Sequence, residues 1–571
     1  MLKRLYSFQI TIFDLIIALL ISCMFSISPQ YIANGKCAFT GTTVLQILLY
    51  FVVFLVVLSI IRLGLEKVDF SINFFQKILN HKHALLILTL LMFLLWIPTL
   101  IILYPGTVIN DTWGQFSQFV YTFYSGDKIQ FQYLGDHHPV LTTFIMGWLI
   151  VPLANAIDNL QIALFVYALL QSLVTCLAFA SSLIYMHRKL NVGSGFAFIA
   201  FLLYAILPIF PGSTQTIAKD SLTAWIFVFF TISFIEIVRT KGECLNSAYQ
   251  TDVFILLAWA LCATKKVSFY VVVLSILMLL PTIKKNRKKL GLILIIGVLL
   301  FQVGWPAVMR ATGITGGGKT EMLSIPFQMT ARYVKEHPDD ITPDEYAVID
   351  KMLYMGDLAD RYDPVSADPV KGFAFYERFE TKDYVDYIKV WFFQGLRHPG
   401  SYWNALLAME SGWFSRTKYY PLMDMSWHNQ LNPNIFSEAS TVRPERIGKL
   451  AAGYQGLLDR LYKVPVLGLL FTYGLYSALI PAFVIGTLLS KRKKGGAWVA
   501  AMPMFFSLAL GCWLAPVSIH FEGRRYLYPI TYTALILIGW CRYWLRAEEQ
   551  SPEKDAEVKL NGSNSSTDSV L

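Results

Sequence analysis

Residues 84–115 read ALLILTLLMFLLWIPTLIILYPGTVINDTWGQ. The first twenty or so residues carry no charge, which is the length and composition of a helix that crosses a bilayer. The stretch then breaks at Tyr104-Pro105-Gly106 and within a few residues presents Asp111. An apolar span that delivers a carboxylate to one membrane surface decides how the rest of the chain is read. Of 571 residues, 55% are hydrophobic and 15% charged, and the mean hydropathy is +0.50. Soluble cores cannot hide that much apolar surface, whereas a bilayer can.

Twelve spans are predicted, at 10–28, 43–63, 84–104, 160–187, 195–211, 221–239, 252–264, 267–283, 290–309, 466–489, 497–515 and 526–545. The net charge of +10 sits in short basic runs at span ends, not in a nucleic-acid motif. Lys3/Arg4, Arg62 to Lys82, Arg188/Lys189, Arg239/Lys241, Lys284 to Lys289, Lys491 to Lys494 and Arg542/Arg546 then fall on one side. The positive-inside rule makes that side, with both termini, cytoplasmic. The apolar stretch 139–156 would invert this order if it crossed, so it is expected to lie in the outer interface. Lys265-Lys266 interrupt 252–283. Two lysines at the bilayer centre would cost roughly 5–7 kcal/mol, so two short helices meeting at the outer surface are expected instead.

The chain thus divides into two N-terminal spans and a cytoplasmic loop (1–83), a membrane core (84–309) with outer loops 105–159 and 212–220, an extracytoplasmic insert (310–465), C-terminal spans (466–546) and a polar tail (547–571). In the insert, Thr342-Pro343-Asp344-Glu345 is a capping box with Pro at the first helical position, predicting a helix over 343–355. A second helix is expected over 382–396, closed by His398-Pro399-Gly400. The seven cysteines form no CxxC or metal spacing. On this topology Cys37 faces outward, and Cys244 and Cys541 inward.

Five outer turns present ionisable residues: Asp111, Asp136-His137-His138, Lys219-Asp220, Lys265-Lys266, and His520-Phe521-Glu522-Gly523-Arg524-Arg525-Tyr526. Each has a plain structural reading. Asp111 and Asp220 suit helix N-caps, His137 and His138 interface positions, and Lys265 and Lys266 snorkelling anchors. Arg524 and Arg525 run against the positive-inside bias, and guanidinium groups grip phosphate. Asp111, Asp136, His137 and His138 include metal-binding residue types, although no spacing demands an ion. Gly313-Ile314-Thr315-Gly316-Gly317-Gly318-Lys319-Thr320 fits the P-loop pattern, but it follows a membrane span and faces outward, against nucleotide binding. Asn110-Asp111-Thr112 is formally a glycosylation sequon pressed against the membrane.

This arrangement resembles the GT-C superfamily of membrane glycosyltransferases, which includes protein O-mannosyltransferases and the aminoarabinose transferase of lipid A. Asp111 in Pro105-Gly106-Thr107-Val108-Ile109-Asn110-Asp111 matches the acidic residue of the first outer loop. His138-Pro139-Val140-Leu141 is similar to the segment leading into an interface helix. Asp220 matches the second acid, and Thr264-Lys265-Lys266 a later turn. Ser324-Ile325-Pro326-Phe327-Gln328 and Arg397-His398-Pro399-Gly400 resemble a less characterised bacterial group of that superfamily. The insert departs from the better-known families, which place soluble domains after the last span.

The resemblance implies an all-α GT-C-like fold and transfer of a sugar from a polyprenyl-phosphate-linked donor to an extracytoplasmic glycan, lipid or protein. Asp111 and Asp220 are the implied catalytic acids. His137, His138, Lys219, Lys265, Lys266, Arg524 and Arg525 are the implied substrate ligands, with a divalent metal at Asp111, Asp136 and His138 as an option. A lipid-linked saccharide flippase or transporter, and a surface polysaccharide polymerase, ligase or assembly factor, stand as alternatives.

Overall fold

The computed structural model describes residues 10–372, 379–420, 444–464, 466–490, 496–519 and 523–547. The basic runs at 3–4 and 491–494, the His520-Phe521-Glu522 part of the last outer motif and the tail from 548 lie outside these residues. Among the described residues the secondary structure is helical apart from one two-stranded sheet. Eight helices are long and apolar enough to cross a membrane: Ile12–Asn34, Gly41–Lys67, Ala84–Ile102, Val140–Ile157, Leu160–Arg188, Lys219–Arg239, Arg287–Thr312 and Ala497–Leu514. Four more apolar helices, Ser194–Ile206, Ala248–Thr264, Lys266–Leu279 and Leu475–Ser490, are shorter. The protein is an all-α, multi-pass membrane protein.

Seven of the twelve expected spans coincide with these long helices and four with the shorter ones, the stretch 526–545 falls in neither group, and the eighth long helix is 140–157, expected in the interface; the local differences have backbone causes. The 195–211 span stops at Ile206, because Pro208 pushes Leu207 into an extended conformation; a short helix, Ile209–Thr214, follows. The 290–309 span runs on to Thr312 through a π-helical turn at Leu300–Gly304, just ahead of Pro306, which has no N–H for the regular ladder. The last expected span forms Tyr528–Ala547, whose Ile530, Tyr532, Ile536, Trp540 and Cys541 are buried within the bundle. The 252–283 stretch does form two helices, and Lys265, in an extended conformation, makes the joint between them.

Val140–Ile157 has the length and apolarity of the other spans. Its Met146, Ile150 and Ala154 pack on Leu160, Ala163, Leu164 and Tyr167, all in the first turns of Leu160–Arg188. That second helix is 29 residues, so about 43 Å long, well beyond a bilayer core of about 30 Å.

Basic residues gather at one end of the bundle. Arg62 pairs with Asp14 (2.7 Å) and Arg239 with Glu236 (2.7 Å). Arg542 and Arg546 both meet Asp69 (3.0 and 2.7 Å), and Arg188 donates to the Leu79 carbonyl. Lys219–Arg239 runs from this end to the other, where Lys219 and Asp220 open it. Its 21 residues rise about 30 Å, the thickness of a bilayer core.

In the insert, Thr342 and Glu345 close the expected capping box on helix Pro343–Leu353. Helix Thr381–Arg397 ends at His398, and Pro399 at once starts another, Pro399–Glu410. With Ser324–Glu336 these helices bury apolar clusters of their own around Phe327, Ile349, Tyr387 and Tyr402. The insert is tied to the bundle at 365–367, where Ala367 N–H donates to the Pro516 carbonyl (2.8 Å) and Ser518 N–H to the Val365 carbonyl (2.9 Å).

Candidate functional site

The site begins with a backbone device. Thr107–Val108 pairs in parallel with Thr216–Ile217, which lays the two outer loops side by side. Close approach needs a residue without a side chain at Gly106. Its φ is +109°, and a Cβ there would sit 3.1 Å from the Gln215 carbonyl oxygen. Gln171, inside a span, donates from Nε2 to the carbonyls of Thr214 (2.6 Å) and Thr216 (2.9 Å). Gln215 bonds Thr107, and the Thr112 hydroxyl donates to the Ile217 carbonyl (2.6 Å). These bonds satisfy loop backbone that would otherwise be buried unpaired.

Helix Asn110–Tyr124 then starts two residues after its strand, and Lys219–Arg239 likewise two residues after the partner strand. Both acids fall within the first turn of their helix, not at its cap. The N-cap reading is therefore corrected: Ile109 and Ala218 occupy those positions, and neither makes a side-chain cap bond. The carboxylates turn toward cations instead. Asp111 Oδ2 receives Lys219 Nζ and Arg525 Nη1, both at 3.0 Å. Asp220 Oδ1 receives Lys265 Nζ at 2.6 Å, and its Oδ2 lies 3.6 Å from Arg525 Nε. Arg525 thus bridges the two acids. Lys219 Nζ also donates to His138 Nδ1 (2.8 Å), whose ring lies 4.5 Å from that of His137. Lys266 pairs with Asp136 at 3.1 Å. Tyr526 offers its ring face to both Lys265 (5.2 Å) and Arg525 (5.5 Å).

The two acids are not equivalent. The Asp220 side chain is fully sealed, while Asp111 keeps 27% of its surface. Burial works to raise the Asp111 carboxyl, but Lys219, Arg525 and their neighbours outweigh it and hold it well below the usual carboxylate range. His138 is pushed down to about 3, first by burial and then by Lys219. It is therefore neutral, and a ring that accepts at Nδ1 carries its proton on Nε2. His137 is lowered too, by burial, against the pull of Glu321. Arg525 stays charged, since Asp111, Tyr526 and Asp220 more than offset its burial.

Of the residues singled out in the sequence, Asp111, Asp220, Asp136, His137, His138, Lys219, Lys265, Lys266 and Arg525 come together. Arg524 does not join them. It lines a separate small cavity with Gly212, Ser213, Tyr420, Phe471 and Tyr528. Adjacent residues in the helical turn Gly523–Leu527 face different ways, so only one of the two arginines meets the acids.

The glycine-rich loop set aside as a false P-loop turns out to belong to the site's wall. It follows a helix, not a strand, as nucleotide binding would require. Asp136 N–H donates to the Thr315 carbonyl (2.8 Å) and Thr315 N–H to the Leu134 carbonyl (3.1 Å). A Cβ on Gly317 would lie 3.1 Å from the Asp136 carbonyl oxygen, so glycine lets the loop press on Asp136-His137. Just beyond, Glu321 pairs with buried Lys371 of the insert (2.6 Å). Sequence reading missed Glu321, Lys371 and Gln171, and it read Gly106 only as a break in the span, not as the point of close approach to Gln215. Only Gln171, an amide inside an apolar span, left a trace there.

Asp111 and Asp136 face cations, and together with His138 they are not among the described groups whose ligand atoms gather within 4.8 Å of one another. Among the described residues, the one His/Cys/Asp/Glu trio gathered closely enough for a single ion is His337, Asp340 and His398, in the insert.

Over residues 2–557 the chain matches the model of a family of unknown function, DUF6020, and it belongs to that family. No curated protein and no solved structure matches it.

Proposed function

We propose that this DUF6020 protein is a membrane glycosyltransferase of the GT-C type. It would move a sugar from a polyprenyl-phosphate-linked donor to an acceptor hydroxyl outside the cytoplasm. One observation carries the reading: two carboxylates, Asp111 and Asp220, share Arg525 and are each paired with a lysine, Lys219 and Lys265, at one end of the bundle. The opposite end gathers the structural arginines about 30 Å away. With that basic end cytoplasmic, the ionic cluster meets the outer leaflet, at the depth of a lipid phosphate. Val140–Ile157 then lies in the outer interface, because it packs on the part of Leu160–Arg188 that overshoots the bilayer.

The chemistry follows from competition for cations. At rest Asp111 is a poor base, because two cations hold it ionised. A donor phosphate draws Lys219 and Arg525 toward itself, which raises the basicity of Asp111. The acceptor oxygen attacks the anomeric carbon as Asp111 takes its proton. The bond from that carbon to the phosphate oxygen breaks, and the lipid phosphate leaves with its new charge stabilised by the same cations. Attack opposite the leaving group inverts the anomeric centre. Asp220, sealed from solvent, fixes Lys265 and Arg525 and does not touch the acceptor. Asp111 and Asp136 are engaged by cations, so no metal is assigned to this step.

The test compares surface glycans of cells carrying the wild-type chain and Asp111→Asn. The variant should insert normally, and one sugar should disappear, with general-base loss worth about 10²–10⁴ in rate. Full sugar transfer by Asp111→Asn removes the mechanism. Transporters place ionisable groups near the midplane on broken helices, whereas Lys219 and Asp220 sit in a first turn. Lipid-linked sugar flux in proteoliposomes without transfer would favour a flippase.

A further inference from the structure

The insert holds a second cluster that sugar transfer does not use. His337 ends Ser324–Glu336, Asp340 closes the turn Pro338–Asp340, and His398 stands at the corner between Thr381–Arg397 and Pro399–Glu410. We propose that these three side chains bind one zinc-class divalent cation, which pins that corner to the end of Ser324–Glu336.

One donor atom from each residue lies within 4.8 Å of the others. His398 Nε2 is 2.7 Å from Asp340 Oδ2, and the two imidazoles stack with centroids 3.7 Å apart. Two imidazoles and a carboxylate suit zinc and its neighbours, not magnesium or calcium, which prefer all-oxygen shells. Both histidines are half-buried and Asp340 is exposed, so an ion can reach them. Ligand bonds of about 2.0–2.1 Å in a tetrahedral shell put donor atoms about 3.4 Å apart. The His398–Asp340 pair must therefore open by less than 1 Å, and one stacked ring must turn so that the nitrogens converge.

The surroundings already hold the ligands as metal sites do. His337 Nε2 contacts the Ser401 hydroxyl (3.0 Å), which donates to Glu336 Oε2 (2.5 Å), leaving Nδ1 for the ion. Arg397 donates to the Asp340 carbonyl (2.6 Å) and the Tyr333 hydroxyl (3.1 Å), and pairs with Glu345. Asp340 is thereby fixed at its backbone while its carboxylate stays available.

The test uses the full chain in detergent, stripped with chelator, incubated with Zn²⁺ and desalted. Metal is counted by mass spectrometry, and a Co²⁺-loaded sample is read by its visible absorption. The wild type should retain one ion per chain. His337→Gln and His398→Gln should each lose it, and Asp340→Asn should bind at least about tenfold more weakly. Zn²⁺ should raise the unfolding midpoint of the wild type and leave that of the two histidine variants unchanged. Asp111→Asn should retain the ion, so this outcome is independent of sugar transfer. X-ray absorption of the wild-type zinc form covers the case of a variant that does not fold, and should show two imidazoles. No retained ion in the wild type, equal retention by a folded His337→Gln/His398→Gln chain, or a shell without imidazole overturns the proposal.

Discussion

Asp220 and Lys265 give the sharpest energetic prediction. Their 2.6 Å contact is almost dry, with side-chain exposures of 0% for the acid and 13% for the lysine. Removing one member of a buried pair leaves an uncompensated charge and costs about 3–5 kcal/mol. Lys265→Met should fall at the low end, near 3 kcal/mol, because Arg525 Nε remains 3.6 Å from Asp220 Oδ2. Asp220→Asn should cost a similar amount, since the stranded ammonium keeps only the Tyr526 ring face at 5.2 Å. The double variant removes both charges together and should be milder than the sum of the singles by about 1–3 kcal/mol. Equilibrium unfolding in mixed micelles titrated with denaturing detergent measures all four corners of the cycle. Strict additivity would mean that the two side chains do not form a pair, and the ionic cluster would lose its sealed half.

His138 has a folded value pushed down to about 3 against about 6.5 unfolded, so below pH 6.5 the unfolded chain binds the extra proton. Stability should therefore fall with acidification from pH 6.5 toward 3, with a slope of up to about 1.4 kcal/mol per pH unit. His138→Gln should flatten that slope in pH-dependent unfolding, and an unchanged profile would contradict a buried neutral ring. Orientation has a thiol test: Cys37 and Cys244 are both partly exposed, on opposite sides of the proposed topology. An impermeant maleimide should label Cys37 in intact cells and Cys244 only after permeabilisation; labelling of Cys244 first would reverse the orientation. Cys541 is buried and reports on neither side.

Much of this protein was legible from apolar run length and charge alone. Bilayer crossing is a local property, since about twenty uncharged residues suffice whatever surrounds them. That is why 84–104 and 160–187 read correctly, and why the cost of Lys265-Lys266 at mid-membrane located the helix joint there. Capping at Thr342 and Glu345 is equally local. The members of the ionic cluster could be named for the same reason, because each sits at the end of an apolar run.

Their partners could not be read that way. Asp111 and Lys219 are 108 residues apart, and nothing in either neighbourhood says that Thr107 will pair with Thr216. Direction within a turn is also invisible, so Arg524 and Arg525 looked alike until packing sent one to the acids and the other to a tyrosine-lined cavity. The glycines at 106 and 317 gain meaning only from the backbone that presses on them. Sequence fixes where charge meets the membrane surface because solvation acts residue by residue. Which charges neutralise one another is decided by the tertiary structure, because ion pairing falls off within a few ångströms and depends on chain segments far apart in order.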